Sequence, residues 1–300
     1  MPKISIGTWA FAFDESIDWS LEQIIPMISK IGYEGVEIGA FAPHPTPVTA
    51  ATTADRSAIA ELVKSNGLEI SGAAASASGT RFLDTADDSE YLKVQERNIR
   101  FAADLGTDRY IINTGHNPET PFEVGEEIAF EKLFRTWDKL GEFANRLGVK
   151  LVWEFEPCWA FNEPEQILRI ADYFDPEVIG VLYDTAHAHT VAVEGARHVR
   201  EGRTLVGGQA DLLRELGSRI THVHLLDTDG SISESDVSAF RTTIHRPFGS
   251  GAIDFDALAP TLRDVAGGLE WWTVDLCFCP DPWEEAGRSL AFVKRILSKE

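Results

Sequence analysis

The sequence predicts a single (β/α)₈ barrel that spans residues 1–300 as one domain. Short apolar strands alternate with amphipathic helices eight times along the chain, and such alternation is typical of a parallel sheet with helices outside it. No stretch rich in Pro, Ser or charge divides the chain. An open doubly wound sheet is the alternative, but no Gly-x-Gly-x-x-Gly turn follows the first strand.

The first four units each combine a short apolar run, a polar or glycine-containing loop and a helix. The first helix has Ile24, Ile25 and Ile28 at helical spacing, and Gly32 follows it as a stop signal. The small-residue run 72–79 offers no side chain for a metal. The predicted strands are Ile4–Gly7, Gly35–Ile38, Leu68–Ser71 and Tyr110–Asn113, and the predicted helices are Leu21–Ile31, Ala54–Asn66, Ser89–Leu105 and Val124–Leu147.

The last four units repeat the pattern with two longer connections. These connections, Thr190–Gly208 and Asp227–Ser250, follow the sixth and seventh strands, so in a barrel they lie on the functional face. Pro164 suits the first turn of the fifth helix. The predicted strands are Lys150–Glu154, Val178–Tyr183, Ile220–Leu225 and Trp271–Leu276, and the predicted helices are Glu163–Tyr173, Ala210–Leu216, Asp256–Val265 and Glu284–Leu297.

Composition and charge exclude several classes of protein. The formal net charge is −21, so neither nucleic acid nor an anionic membrane is an expected partner. No apolar run approaches the roughly 20 residues of a membrane span, and no signal peptide is recognisable at the start. The cysteines Cys158, Cys277 and Cys279 suit a reducing compartment, so we expect a cytoplasmic protein with packing or loop cysteines.

Four neighbouring strands of the second half end in ligand-type side chains, which are Glu154, Asp184, His224 and Asp275. The carboxyl ends of barrel strands meet at one face. Burying several carboxylates together at the apolar end of a barrel costs free energy unless a cation lies among them. Such a donor set suits an oxygen-preferring divalent ion, so we predict Mn²⁺ or Mg²⁺, with Co²⁺ or Zn²⁺ as alternatives.

Other polar and aromatic residues are expected near this face. Glu156 lies two residues beyond the strand-five ligand and is a candidate for proton transfer or substrate binding. His116 follows the fourth strand and could act as a general base, although an ordinary loop histidine is an equal alternative. His187, in the loop after the sixth strand, is a candidate for substrate contact, whereas His222 is expected to pack or hydrogen-bond lower in the barrel. Trp9 is expected to contact a sugar ring, although isolated tryptophans are usually core residues.

The segments that carry these residues resemble the sugar isomerase/epimerase superfamily of xylose-isomerase-like barrels over essentially the whole chain. They are Gly35–Ile38, Leu151–Pro157, Val181–His187, His222–Asp227 and Gly249–Asp254. The resemblance implies that Glu154, Asp184 and His224 bind the metal with a strand-eight carboxylate. Ketose 3-epimerases normally have Glu at that last position, whereas Asp275 is one methylene shorter, which argues against a simple epimerase.

A narrower resemblance is to the larger, catalytic subunit of bacterial C-glycoside deglycosidases. It rests on Trp153–Pro157, Phe161–Asn162, Val193–Arg197, His245–Gly249 and Trp271–Phe278. Those enzymes cleave the anomeric carbon–carbon bond of 3-keto C-glycosides by elimination, together with a small β-sandwich subunit. The resemblance implies that His245 and Arg246 bind substrate, and that the protein is an oligomer with a small β subunit as partner.

Two reactions fit these residues equally at their first step. Elimination by a metal-dependent carbon–carbon lyase is the favoured function, and a sugar isomerase or 3-epimerase is the alternative. Both remove a proton next to a sugar carbonyl, with His116 as the leading candidate for the base and Glu156 as the other candidate. A phosphodiester-cleaving barrel would need more ligands than the third strand provides, and the acidic charge opposes DNA binding. A non-catalytic sugar-binding protein would leave the four strand-end residues without a role.

Overall fold

The computed structural model describes residues 1–12, 19–233, 242–279 and 281–298. Within these ranges eight parallel strands pair in chain order and close into a barrel through β1 and β8, which confirms the predicted fold. All strands therefore present their carboxyl ends at one face. The strands are β1 (Lys3–Gly7), β2 (Gly35–Ala40), β3 (Glu69–Ala75), β4 (Arg109–Ile112), β5 (Lys150–Glu154), β6 (Ile179–Asp184), β7 (Ile220–Leu225) and β8 (Trp271–Val274).

The helices surround the barrel and bury their apolar faces. In the first helix Ile24, Ile25 and Ile28 are fully buried, and each such side chain contributes about 1.5–3 kcal/mol of burial free energy. No helix in the described ranges is long and apolar enough to cross a membrane. The helices are α1 (Leu21–Ile31), α2 (Thr53–Ser65), α3 (Ser89–Leu105), α4 (Thr120–Val124), α5 (Glu126–Asn145), α6 (Pro164–Tyr173), α7 (Thr185–His189), α8 (Gly208–Leu216), α9 (Phe255–Ala266) and α10 (Pro282–Ser298).

The observed elements differ from the predicted ones in a few places. The helix predicted over 124–147 is present as α5 (Glu126–Asn145). A short helix that was not predicted, α4, precedes it, and Gly125 between the two has a φ of 99°, a conformation that glycine tolerates and other residues rarely adopt. Strand β3 continues to Ala75, four residues further than predicted. A Cβ on its Gly72 would lie 3.2 Å from the carboxyl carbon of Glu37, so this glycine makes room for a charged side chain.

The segment after β6 was expected to be a loop, but it begins with helix α7. Asp184 caps this helix, since its Oδ1 accepts a hydrogen bond from the backbone N–H of His187 at 2.8 Å, a usual role of Asp at a helix start. A π-helical turn, Thr190–Glu194, follows, and such turns are frequent at functional sites. Capping makes His187 part of an ordered, buried segment rather than a solvated loop.

The barrel interior has a polar layer formed by Ser5, Glu37, His222 and Thr273, each 1% exposed or less. The hydroxyls of Ser5 and Thr273 are 2.8 Å apart, and both His222 and Thr273 contact the Glu37 carboxylate. Buried polar groups are normally hydrogen-bonded. Each of these four side chains has a partner within the layer, although His222 Nδ1 has none among the described residues. This layer supports the strand ends at the functional face.

Candidate metal centre

Four side chains meet at the carboxyl ends of β5 to β8. Glu154 and Asp184 are the last residues of their strands, His224 is the penultimate residue of β7, and Asp275 directly follows β8. One ligand atom of each lies within 4.8 Å of those of the other three. His224 Nδ1 is 3.3 Å from Glu154 Oε1 and 3.7 Å from Asp275 Oδ2. The structure thus brings together all four residues predicted as metal ligands.

Two buried atoms of this group, Asp184 Oδ2 and His224 Nδ1, have no hydrogen-bond partner among the described residues. Leaving a buried polar atom unpaired costs about 1–3 kcal/mol, and a cation bound between these atoms would remove that cost. Burial and the charges of Asp275 and Glu154 raise the pKa of Asp184 well above its usual range, because the carboxylates crowd one another. The donor set therefore fits a divalent metal ion.

Glu37, on β2, holds the imidazole of His224 from its other side. Its Oε1 lies 3.3 Å from His224 Nε2, and its Oε2 lies 2.7 Å from His222 Nε2. A carboxylate on the far nitrogen of a ligand imidazole orients the ring and increases its basicity. Burial opposes the charge of Glu37, but the two imidazoles outweigh it and hold the pKa of Glu37 well below its usual range. His222 therefore hydrogen-bonds inside the barrel, as predicted.

Trp9, in the turn after β1, supports another member of the group. Its indole Nε1 donates to Asp275 Oδ1 at 2.7 Å, and its ring centroid lies 5.5 Å from that of His224. Gly7 is needed for this arrangement, because a Cβ there would overlap the indole. Trp9 was predicted to contact a sugar; the structure shows in addition that it orients Asp275, and the sugar contact stays a prediction.

Glu156 and His187 stand beside the four residues. His187 Nε2 is 3.9 Å from both Glu154 Oε1 and Glu156 Oε2. Glu156 is buried, and its Oε2 accepts a hydrogen bond from Thr242 Oγ1 at 2.9 Å. Burial and the charge of Glu154 nevertheless raise the pKa of Glu156 well above its usual range. A buried carboxyl group with a raised pKa thus lies next to the four predicted metal ligands.

A chain of hydroxyls assigns the tautomer of His187. Thr190 Oγ1 donates to Ala186 O at 2.9 Å, and Thr243 Oγ1 donates to Thr190 Oγ1 at 3.2 Å. The Thr243 hydroxyl has then used its proton, so it accepts from His187 Nδ1, 3.0 Å away. Nε2 consequently carries the lone pair on the side of the glutamates. Burial and the neighbouring His245 lower the pKa of His187 well below its usual value, so the ring is neutral.

The two residues predicted to bind substrate from the loop after β7 occupy different places. His245 is buried, with its Nδ1 3.7 Å from Asp275 Oδ1 and its ring centroid 5.7 Å from that of His187. Arg246 pairs instead with Asp229, with 2.8 Å between Nη2 and Oδ2, and 43% of its side chain is exposed. The structure thus brings His245, but not Arg246, to the four predicted metal ligands.

His116 joins two loops. Its Nε2 accepts hydrogen bonds from the backbone N–H groups of Phe82 at 3.1 Å and Leu83 at 3.3 Å, and its Nδ1 lies 3.9 Å from Asp84 Oδ1. Burial lowers the pKa of His116 to about 4, which keeps the ring neutral near pH 7. The lone pair that a general base needs is therefore occupied by backbone donors.

Sequence reasoning gave no role to Glu37, Thr242 or Thr243. A charged residue inside the apolar strand Gly35–Ala40 was an available signal, because a carboxylate is rarely fully buried without a partner. The threonines carried no such signal, since hydroxyls are common in long surface loops. The contacts of Thr242 with Glu156 and of Thr243 with His187 are visible only in the folded structure.

This geometry defines an α/β barrel with ligand-type side chains grouped at the end where such barrels bind small molecules. The chain belongs to the Xylose isomerase-like TIM barrel family, whose characteristic sequence matches residues 25–296. The superfamily predicted from sequence is thereby confirmed.

Three comparisons describe what the chain is similar to. It is 25% identical to "Inosose dehydratase 2" of Bacillus cereus, covering 97% of this chain and 96% of that protein. It is also 25% identical to an inosose dehydratase of Bacillus licheniformis, covering 85% and 80% respectively. A solved L-ribulose 3-epimerase has a TM-score of 0.73 at 17% identity, covering 99% and 95%, and this likeness shows a shared fold.

Proposed function

We propose that this protein is a divalent-metal-dependent enzyme that removes a proton next to a sugar carbonyl and then eliminates the group on the following carbon. The favoured reaction is cleavage of the carbon–carbon bond of a 3-oxo C-glycoside, by the catalytic subunit of a C-glycoside deglycosidase. The observation that carries this proposal is the position of Glu156, a buried carboxyl group that Thr242 holds by a hydrogen bond beside the four ligand-type residues. The similarity to inosose dehydratases supports elimination, since loss of water from a keto polyol is itself an elimination.

The proposed metal ligands are Glu154, Asp184, His224 and Asp275. The unpaired Asp184 Oδ2 and His224 Nδ1 support this assignment. The ion is proposed to be Mn²⁺, with Mg²⁺, Co²⁺ or Zn²⁺ as alternatives. When bound, it would polarise the sugar carbonyl and stabilise the negative charge that develops on its oxygen.

Glu156 is the proposed base. The hydrogen bond from Thr242 fixes its Oε2, which leaves the other oxygen to take the proton from carbon. A raised pKa suits a group that must accept a proton and return it near neutral pH. The sequence favoured His116 as the base, but its Nε2 is occupied by the backbone donors of Phe82 and Leu83. We therefore propose that His116 holds the two loops together.

Elimination from a 3-oxo C-glycoside transfers one proton and breaks one carbon–carbon bond. The base removes the proton on C2, the electron pair forms the C1–C2 double bond, and the bond between C1 and the aglycone carbon breaks. The aglycone carbon must gain a proton as it leaves. Glu156 holds the proton it removed and can return it there, directly or through His187, whose Nε2 lies 3.9 Å away. His245 and Trp9 are proposed to contact the sugar, and Arg246 the part of the substrate that reaches the rim.

The long segments 190–208 and 227–250 are proposed to cover the substrate or to contact a small β subunit, in an oligomeric assembly. Positions 234–241 lie outside the described residues. The first segment is anchored to the loop after β5, because Arg200 Nε donates to the buried Glu163 carboxylate at 2.6 Å. An anchored segment at the rim provides a defined surface for a partner.

The decisive experiment supplies 3-oxo C-glycosides and, separately, free ketohexoses to the Mn²⁺-loaded protein in D₂O, with and without a candidate small subunit. Aglycone release is the expected result. Deuterium exchange at C3 of a ketose without any release would instead support a 3-epimerase, which starts from the same proton removal. If neither aglycone release nor deuterium exchange occurred, both interpretations would be wrong.

The matched variant for this experiment is Glu156→Gln, which keeps the size of the side chain and removes its basicity. We expect it to retain bound Mn²⁺ and to lose at least about 100-fold in turnover, the lower range of a general-base contribution. Full turnover by this variant would remove Glu156 as the base. His116→Gln is the control, because we expect it to keep its metal and most of its activity.

A further inference from the structure

A second group of ligand-type side chains lies beside Asp275. His245, Asp275 and Cys277 each offer a nitrogen, oxygen or sulfur atom, and all three atoms lie within 4.8 Å of one another. Cys277 is in the turn after β8, where its backbone N–H donates to Asp275 Oδ1 at 2.9 Å. This group shares one carboxylate with the metal-ligand group and adds two donors of its own.

His245 is the member of this group that lacks partners. Only 8% of the residue is exposed, and in the described part of the chain neither ring nitrogen has a hydrogen-bond partner. The 3.7 Å between His245 Nδ1 and Asp275 Oδ1 is too long for a hydrogen bond. It is, however, close to the separation of about 3.3–3.8 Å between two ligands that bind one tetrahedral ion at about 2.0–2.3 Å.

The chemistry of these donors differs from that of the first group. Thiolate and imidazole ligands favour Zn²⁺ and Co²⁺, whereas Mg²⁺ and Mn²⁺ favour oxygen. A thiol binds a metal as the thiolate, so the ion that occupies this group must be one that binds sulfur strongly enough to displace the thiol proton.

We propose that His245, Asp275 and Cys277 form a second cation site for a thiophilic divalent ion such as Zn²⁺ or Co²⁺. Binding forms a bond from the ion to Cys277 Sγ and releases the thiol proton to solvent. The site itself does not depend on the proposed reaction. One consequence rests on the proposed function: an ion that engages His245 and Asp275 removes two groups from the substrate site, so excess Zn²⁺ lowers the turnover of the Mn²⁺ enzyme.

The test titrates Co²⁺ into the full chain already saturated with Mn²⁺ and follows near-ultraviolet absorption, where sulfur-to-cobalt charge transfer appears. The native chain is expected to develop this band to saturation. Cys277→Ser is expected to lack it. Cys279→Ser is the matched control, since Cys279 lies on the same segment outside the group, and it is expected to keep the band.

His245→Asn extends the test. It is expected to weaken Co²⁺ binding at least about tenfold, and Cys277→Ala serves if the serine variant does not fold. A native chain without the band, or a band that persists in Cys277→Ser, overturns the proposal. Because absorption is read without substrate, a failure of the proposed elimination would leave this result unaffected.

Discussion

Strands β5 to β8 and strands β1 to β4 form opposite halves of one barrel, yet their carboxyl ends carry different side chains. The first half ends in small or apolar residues, which are Gly7, Ala40, Ala75 and Ile112. The second half bears Glu154, Asp184, His224 and Asp275. The difference separates two proposed tasks, because the second half carries the four proposed metal ligands and the first half carries side chains that contact two of them.

Two side chains show how the first half does this. Glu37 reaches from β2 to the Nε2 of His224, and Trp9 reaches from the turn after β1 to Asp275. Two glycines leave the space that these larger side chains occupy, since Gly7 at the end of β1 faces the Trp9 indole and Gly72 within β3 faces the Glu37 carboxylate. The comparison predicts that changes in the ligand half abolish metal binding, whereas changes in the supporting half weaken it.

The largest effect is expected from Asp184→Asn. The asparagine keeps an oxygen that can cap α7, but it replaces the unpaired Oδ2 and removes the charge. Affinity for Mn²⁺ should fall by more than about 100-fold. Losing a residue that only hydrogen-bonds to a metal ligand costs about 10–100-fold in affinity, and losing the ligand itself should cost more. Isothermal titration with Mn²⁺ measures this, with circular dichroism as the control for folding. Unchanged affinity would contradict the assignment of Asp184.

Glu37→Gln tests the supporting half. It removes the charge that faces His222 and His224, and we expect about 10–100-fold weaker Mn²⁺ binding. Trp9→Phe is the milder companion, because it keeps an aromatic ring and removes only the N–H that binds Asp275. If both variants bound Mn²⁺ as tightly as the native chain, the proposed division between the two halves would be wrong.

Thr242→Val tests how the loop after β7 supports proton transfer. Valine has the shape of threonine but cannot donate to Glu156. A hydrogen bond to a charged group is worth about 1.5–3 kcal/mol, so turnover should fall by about tenfold to a hundredfold, with Mn²⁺ content unchanged. Thr242→Ser retains the hydroxyl and should restore most of the activity. Equal turnover in the valine and serine variants would exclude this role.

The smallest effect concerns His116, in the supporting half. Burial lowers the pKa of His116 from 6.5 to about 4, so as the pH falls this histidine is protonated in the unfolded chain before it is protonated in the folded protein. The contribution of neutral His116 to the free energy of unfolding is therefore complete above pH 6.5 and is lost as the pH falls towards 4. In urea unfolding, the native chain should lose more free energy of unfolding between these pH values than His116→Gln, whose amide oxygen can accept from the same backbone groups. Parallel losses in the two proteins would show that His116 does not contribute.

Much of the fold and the ligand group could be predicted because both depend on short-range patterns. Alternating apolar and amphipathic runs specify strand and helix order, and the rule that barrel strands end at one face brings Glu154, Asp184, His224 and Asp275 together. The orientation of His116 could not be predicted. Its place after β4 follows from sequence, but its contact with Phe82 and Leu83 depends on how two loops pack.

The sequence by itself determined the barrel, the acidic character of the chain and the strand-end residues that define the candidate metal centre, because each follows from local composition and period. Only the tertiary structure decided which groups support them. Glu37 and His222 are 185 positions apart in the chain and 2.7 Å apart in space, and Thr242 contacts Glu156 across 86 positions. Such contacts arise when the sheet closes and a loop folds back over it, and no local pattern in the chain encodes them.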